Sequence, residues 1–264
     1  MTQIGAITTA QWSVLLLVAV LGHLMALFWY CAKKYDWRIC QRTIYDLPTS
    51  GRQTRRELKN SIHTPLHAVL LLLCLAAGLF QNSSVASFWL SALGMTVWAE
   101  IWHYFSHRAF HLKALHWIHA EHHKSRLNTP FTAISFSFTE KLVFDLGLLI
   151  PFAVIDQFVS VNFFGISAWF IGYLIINSFS HANFEFRASG YNKHVGKVLT
   201  TTTYHALHHS RYTGNYGLGT RVLDRLFGTE WEDYEALYSK VNTDREPLSS
   251  LKEKVPNRSG DKLA

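Results

Sequence analysis

Histidines recur at helical spacing in three places along this sequence. An α-helix has about 3.6 residues per turn, so side chains three or four positions apart share a face. The three groups are His103, His107 and His111, then His119, His122 and His123, and finally His205, His208 and His209. Neutral imidazole is the commonest metal-binding side chain in proteins. Three groups at this spacing therefore predict a metal site formed by several helices.

Isolated histidines have simpler explanations than metal binding. A single histidine in a helix is usually a surface residue or a hydrogen-bonded residue of the core. His103 precedes the HxxxH pair of His107 and His111, and His116 precedes the motif at residues 119–123. Because both lie outside these tightest motifs, we expect them to contribute less than the others. His23 lies inside a long apolar run, and we expect it to serve packing or interhelical hydrogen bonding.

The composition of the chain favours a membrane protein. Its 264 residues are 49% hydrophobic and only 16% charged, whereas typical soluble domains are about 25% charged. The net charge of +7 is not accompanied by a nucleic-acid-binding motif, so we expect no nucleic acid partner. The three cysteines form neither a disulfide framework nor a CxxC pair.

Long apolar runs predict the membrane segments. Residues 12–31 contain no charged side chain, and about 20 such residues span a bilayer. No basic segment precedes this run, so a spanning helix is favoured over a cleaved signal peptide. Further apolar runs cover residues 67–80 and 85–98, and residues 142–179 read as a helical hairpin. The predicted fold is an all-α integral membrane protein with about four to five membrane helices and a histidine-rich helical cap that holds the metal site.

The basic residues predict the orientation in the membrane. Eight of the 25 Lys and Arg lie in residues 32–60, five in 108–141 and twelve from residue 187 onward. The positive-inside rule then places the N-terminus outside, and the C-terminus and all three histidine groups in the cytoplasm. A bacterial inner membrane or the endoplasmic reticulum suits this arrangement.

These features divide the chain into three regions. Residues 1–99 are expected to form membrane helices with a basic cytoplasmic loop. Residues 100–231 are expected to form the domain that holds the histidine groups, which includes the membrane hairpin at 142–179. Residues 232–264 read as a polar C-terminal tail.

The histidine groups resemble those of the fatty acid hydroxylase superfamily, which includes sterol desaturases and C4-methyl sterol oxidases. The resemblance runs from about Glu100 to Trp231. It rests on an HxxxH motif at residues 107–111 and on HxxHH motifs at 119–123 and 205–209. Taken together these motifs are highly specific, although one HxxxH motif alone is a weak signal.

Two shorter segments strengthen this resemblance. Ser180-His181-Ala-Asn183 is similar to a segment of the family that supplies an additional histidine, and residues 224–229 are similar to its closing signature. Leu223 departs from the pattern, because many members have Trp there. We expect this difference to change packing rather than chemistry.

The resemblance implies a membrane-bound diiron enzyme that uses dioxygen and takes electrons from a separate reductase or carrier. The implied iron ligands are His107, His111, His119, His122, His123, His181, His205, His208 and His209. Extra ligands, or acids that hydrogen-bond to ligand rings, are expected among His103, Glu100, Glu185 and Asp145. Asp145 is included because acids inside a membrane are costly and are functional candidates by default.

The resemblance implies hydroxylation of an aliphatic C–H bond of a fatty acyl, sterol or related lipid. A lipid or sterol desaturase, or an ether-lipid monooxygenase, would carry the same ligands, so the sequence leaves these reactions open.

Other classes of protein also remain open. A non-catalytic zinc protein would use the same imidazoles. A metal transporter would place ligands near the bilayer midplane, and a haem protein with two axial histidines would leave most of the groups unexplained.

Overall fold

The computed structural model describes residues 7–188, 191 and 194–254, and the regular secondary structure of these residues is helical. Among them, β-pairing is limited to isolated bridges such as that between Thr43 and Phe184. The α-helices are α1 (Thr9–Lys34), α2 (Gly51–Asn60), α3 (Leu66–Ala76), α4 (Val85–Phe110), α5 (His116–His123), α6 (Phe138–Ile155), α7 (Phe163–Ser180), α8 (Thr202–Arg211), α9 (Val222–Leu226) and α10 (Tyr234–Asn242).

Four segments of the described chain are long and apolar enough to cross a membrane. They are α1, the segment Gly51–Ala76, α4 and α7. Within Gly51–Ala76, the polar α2 precedes the apolar α3, whose 11 residues extend only about 16 Å. The prediction of an all-α integral membrane fold is confirmed.

Helices α6 and α7 form a helical hairpin. Residues 156–162 connect them, and Asp156 closes this turn by accepting hydrogen bonds from the backbone N–H groups of Phe80 and Val161 at 2.9 and 2.6 Å. α6 contains three ionisable side chains, Glu140, Lys141 and Asp145, and it is not one of the four candidate membrane segments.

The long helices share one apolar core. Val18, Leu71, Met95, Leu148 and Phe170 come from five different helices, and each is fully buried. The core therefore joins α1, α3, α4, α6 and α7 into one bundle, as expected from the hydrophobic effect. Apolar side chains also cover the outside of the bundle, which is appropriate for contact with lipid.

A second apolar core lies in the cap that the bundle carries at the C-terminal end of α4. Its buried residues come from the loop after α1, from α8 and from α10. We predict a polar tail from residue 232, but the structure differs. Tyr234, Leu237, Tyr238 and Val241 are buried along one side of α10, and the folded cap extends to Leu248. Residues 255–264 of the predicted tail lie outside the described residues.

Local sequence signals fix where three of the helices around the histidines begin. Ser84, Ser137 and Thr201 each accept a hydrogen bond from a backbone N–H in the first turn of α4, α6 and α8. Such N-caps satisfy donors that a helix leaves unpaired and stabilise it by about 1 kcal/mol each. Together with the packing of α5 against α4 and of α8 against α7, they set the directions of the histidine side chains.

Candidate dimetal site

The histidine side chains from four helices meet in two groups at the junction of the bundle and the cap. Within each group, one ring nitrogen per histidine lies within 4.8 Å of those of all the others. Group A comprises His107, His111, His119, His123 and His208, and group B comprises His122, His181, His205 and His209. All are buried except His111, which is half-buried. The protein thus contains two histidine clusters suited to a dimetal site.

Each HxxHH motif is divided between the two groups. His119 and His123 lie in group A, whereas His122 lies in group B. In the third motif the division is reversed, with His208 in group A. Because each helical residue turns by about 100°, positions i and i+4 lie about 40° apart, whereas positions i+3 and i+4 diverge by about 100°. One helical turn can therefore supply ligands to two neighbouring ions.

The nitrogen spacing in group B suits one metal ion. The Nε2 atom of His181 lies 3.0 Å from that of His205, 3.1 Å from that of His209 and 3.3 Å from that of His122. Metal–imidazole bonds of about 2.0–2.1 Å at right or tetrahedral angles separate two nitrogens by about 2.9–3.4 Å. In group A, the Nε2 atoms of His123 and His208 are 3.0 Å apart, which fits the same rule.

Backbone carbonyls orient most of these rings. Five Nδ1–H groups donate to carbonyl oxygens at 2.8–3.0 Å, which leaves the lone pair on Nε2. The pairs are His107 with Tyr216, His122 with Ser135, His181 with Asn177, His208 with Gly214, and His209 with Ser125.

Several ring nitrogens in group A have no hydrogen-bond partner among the described residues. They include Nε2 of His119 and both ring nitrogens of His111. A buried polar atom without a partner costs about 1–3 kcal/mol. A bound metal would accept the lone pair of Nε2 of His119 and of one ring nitrogen of His111, so these unpaired nitrogens and the all-imidazole donor set both fit a metal.

Burial keeps the imidazoles neutral. It lowers the pKa of His122 to about 4 and that of His111 to about 2. Burial, followed by the effect of neighbouring imidazoles, also lowers the pKa of His123 and His209 well below the ordinary value. The neutral ring is the form that binds a metal, so the groups are ready for metal at physiological pH.

Glu140 is a candidate site residue that the sequence did not indicate. Its Oε1 atom accepts a hydrogen bond of 2.6 Å from Nδ1 of His119, and both side chains are buried. A carboxylate on the outer nitrogen fixes the ring and increases its basicity toward a metal. The sequence signal that could have indicated this residue is an acid in the first turn of α6, three residues after the N-cap Ser137.

The acids proposed from the sequence have other partners. Glu100 accepts two hydrogen bonds of 3.0 Å from Thr220, and Glu185 accepts hydrogen bonds of 3.0–3.1 Å from Thr203 at the start of α8. Asp145 pairs with the buried Lys141 at 2.6 Å. None of the three carboxylates bonds to a histidine in the part of the chain that the structure describes. They hold the surrounding backbone and helices instead of orienting rings, because tertiary packing brings closer partners to them.

His103 and His116 lie beside the two groups. The ring centre of His103 is 5.1 Å from that of His107, and His103 is half-buried. His116 hydrogen-bonds through Nδ1 to the Tyr212 hydroxyl at 2.7 Å, and the Tyr212 ring lies 4.9 Å from that of His111. His103 therefore contacts a ligand candidate directly, whereas His116 is linked to one through Tyr212, and neither belongs to a group.

Comparison with known protein families shows to which family the chain belongs. Residues 92–229, slightly more than half of the chain, match the fatty acid hydroxylase family. The chain belongs to the fatty acid hydroxylase family. This confirms the resemblance found in the sequence.

Curated relatives of this fatty acid hydroxylase family member include plant proteins. "Very-long-chain aldehyde decarbonylase GL1-6" of Oryza sativa subsp. indica is 28% identical over 188 residues, which cover 65% of this chain and 28% of the relative. "Very-long-chain aldehyde decarbonylase CER1" of Arabidopsis thaliana is 24% identical over 223 residues, which cover 81% of this chain and 35% of the relative. The chain thus spans roughly a third of their length. No solved structure matches it significantly.

The family and the geometry together define the class of protein. This member of the fatty acid hydroxylase family is a membrane enzyme with two buried histidine clusters consistent with two metal ions.

Proposed function

We propose that this protein is a diiron oxidoreductase that uses dioxygen and external electrons to hydroxylate an aliphatic C–H bond of a lipid. The observation that carries the proposal is a mainly apolar cavity that borders both histidine groups. His107 and His119 of group A and His122, His181 and His205 of group B line it. An apolar carbon placed there would lie next to both metals.

The walls of this cavity suit a hydrocarbon. Phe110, Phe136, Phe144 and Leu218 line it, and its free volume is only about 40 Å³. That space holds the reacting part of a substrate but not a whole lipid. The aromatic and aliphatic walls exclude bulk water from the reacting atoms.

The nine histidines of groups A and B are the proposed ligands. When bound, two irons would supply the oxidising chemistry by activating dioxygen. The carbonyls of Tyr216 and Ser135 hold the rings in their ligating tautomer, and Glu140 orients His119 and offsets part of the positive charge. Iron is preferred to zinc because the family name describes an oxidative reaction.

Electrons would arrive from a separate carrier, since the sequence has no recognisable redox module. Arg52, Arg55 and Lys59 are exposed on α2, at positions that share one side of this helix. This basic side would attract an acidic carrier protein. We also propose that the cap, with its basic residues, faces the cytoplasm.

The names of the curated relatives favour a second candidate reaction. Those proteins are named for action on very-long-chain aldehydes. A long-chain aldehyde that loses its carbonyl carbon is therefore the alternative substrate, with the same metal centre. Desaturation of a lipid is a further outcome of the same oxidative site.

The test is turnover by the purified protein in lipid vesicles, with iron, a reductase–carrier pair and isotopically labelled dioxygen. Hydroxylation predicts a lipid product with one labelled oxygen. A hydrocarbon shorter by one carbon would select the aldehyde reaction, and an unlabelled alkene would select desaturation. Oxygen acquired only from water, or zinc with no iron in the native protein, would overturn the oxygenase proposal.

A further inference from the structure

A second cavity of about 290 Å³ lies between α4 and α7 and adjoins the histidine cavity. We name it the α4–α7 groove, and its walls include Phe88, Ala92 and Ala99 of α4 and Ala168 and Gly172 of α7. We propose that this groove holds the hydrocarbon chain of the substrate and that its Phe88 end limits the chain length. The inference rests on the proposed function, and it narrows the substrate class to lipids with a straight alkyl chain.

The groove and the histidine cavity form one path. His103, Phe144, Tyr173 and Leu218 line both spaces. A chain in the groove can therefore present one end to the histidines without leaving apolar surroundings. This position also gives His103 a role at the entrance to the site, in keeping with its place outside groups A and B.

The length of the groove suits a long chain. Its α4 wall runs from Phe88 to His103, a distance of about 22 Å along the helix axis. About 17 carbon atoms in an extended chain cover that distance, because each bond of about 1.5 Å advances it by about 1.3 Å. A narrow space between two neighbouring helices favours an unbranched chain over the fused rings of a sterol.

Two glycines of α7 show that the groove closes at one end. A Cβ atom added to Gly165 would lie 2.4 Å from the Phe88 carbonyl oxygen and 2.9 Å from Cβ of Ser91, so the helices touch there. A Cβ atom added to Gly172, two turns nearer the histidines, would meet no atom within 4 Å. The helices therefore diverge toward the site, and the contact at Gly165 limits how far a chain can extend.

The side of the groove is open to the membrane. Trp89 lines it and is 66% exposed, on a face of α4 that also exposes Leu90 and Leu93. A lipid can then enter sideways from the bilayer, where apolar substrates are dissolved. Trp169 and Tyr173, whose rings stack with centres 5.2 Å apart, form the opposite wall.

Photolabelling tests this arrangement without requiring turnover. A series of long-chain alcohols, each with a diazirine at a different carbon, is added to the protein in vesicles without an electron donor. Labelled peptides are then identified by mass spectrometry. A diazirine near the chain end should label the groove residues Phe88 and Ala92, and one near the hydroxyl should label residues 99–103. Labelling that does not depend on the diazirine position, or that falls on Leu90 and Leu93 alone, would overturn the groove.

A matched pair of variants sharpens the test. Gly172→Phe places a ring in the free space of the groove, whereas Leu93→Phe changes a lipid-facing position one residue away from Ala92. Gly172→Phe should reduce labelling of Phe88 and Ala92 by about tenfold, equivalent to about 1.4 kcal/mol of binding free energy. Leu93→Phe should leave it unchanged. An unchanged metal content shows that both variants fold.

The same experiments separate this inference from the proposed function. A position-dependent labelling pattern in a protein that oxidises no lipid would support the groove and refute the oxygenase. Oxidation of straight-chain lipids with the same chain-length profile in wild type and Gly172→Phe would refute the groove and keep the oxygenase.

Discussion

Removal of the Glu140 carboxylate should weaken metal binding at group A. Glu140 accepts the Nδ1–H of His119 at 2.6 Å, and about 6% of each side chain is exposed. A buried hydrogen bond to a charged group contributes about 1.5–3 kcal/mol. That range corresponds to about 10- to 150-fold in affinity and agrees with the 10- to 100-fold typical of carboxylates that support metal ligands. We expect Glu140→Ala to lower the affinity of one of the two metals by this factor.

The measurement is a competition titration with a chelator of known affinity, combined with the number of metals per chain. One metal should be lost at lower chelator concentration in Glu140→Ala than in wild type, while the second is retained, because among the described residues Glu140 hydrogen-bonds to His119 of group A and to no histidine of group B. Glu140→Gln should have an intermediate effect, since its amide oxygen still accepts the hydrogen bond but carries no charge.

Glu121→Gln is the matched control. Glu121 lies on α5 next to His122, but its carboxylate pairs with Lys124 and Arg56 at the surface. Its loss should leave both metals bound as in wild type, because surface ion pairs contribute little. If Glu140→Ala bound both metals with wild-type affinity, the role assigned to this carboxylate would be wrong. Equal loss in both variants would indicate a general effect of charge.

Four further predictions follow from the same geometry. His107→Ala and His205→Ala should each lose about one metal per chain, from group A and group B respectively; loss of neither metal would refute the ligand assignment. Glu57→Ala should lower the free energy of unfolding by about 3 kcal/mol, because the buried carboxylate accepts hydrogen bonds from three hydroxyl groups; an unchanged urea midpoint would contradict this. In the folded protein, burial lowers the pKa of His122 to about 4 from the ordinary value of 6.5. Between these two pH values the unfolded chain therefore binds more protons than the folded, metal-free protein. The stability of the metal-free protein, measured by thermal unfolding, should therefore fall as the pH decreases from about 6.5 to 4, and constant stability would refute burial of the neutral ring. A reporter fused after Ala264 should be cytoplasmic, and a translocated reporter would reverse the proposed orientation.

Local periodicity made much of the architecture predictable. The apolar run at residues 12–31 lies within α1, and the run from residue 85 continues as one helix into the first histidine group. Helical spacing also indicated which histidines to examine, because neighbours on one face are set by the helix alone. These features depend on the conformation of a single element.

Features that depend on several elements were not predictable in the same way. The division of each HxxHH motif between two groups depends on how α5 and α8 face each other. Glu140 is 21 residues from His119 in sequence, and its partner is set by the packing of α6 against α5. By residue type alone, Glu100 and Glu185 were as plausible as Glu140 as partners of the ligand histidines. Tertiary packing instead gives both of them threonine partners.

The sequence of α10 contains the periodicity of a buried helix, but its average polarity obscured that signal. Its charged residues suggested a solvated tail, whereas Tyr234, Leu237, Tyr238 and Val241 follow the helical period and are buried. Periodicity over two turns is a better indicator than average polarity in such a short segment.

The packing of α10 against α8 has a consequence for biosynthesis. The Tyr204 ring on α8 lies 4.9 Å from that of Tyr234, whose hydroxyl is 3.0 Å from the Thr201 hydroxyl at the start of α8. Residues beyond the family match at 92–229 thus complete the support of the helix that carries His205, His208 and His209. During translation, the four candidate membrane segments leave the ribosome before this support exists. We therefore expect stable metal loading to follow membrane insertion, once the segment through Leu248 has left the ribosome.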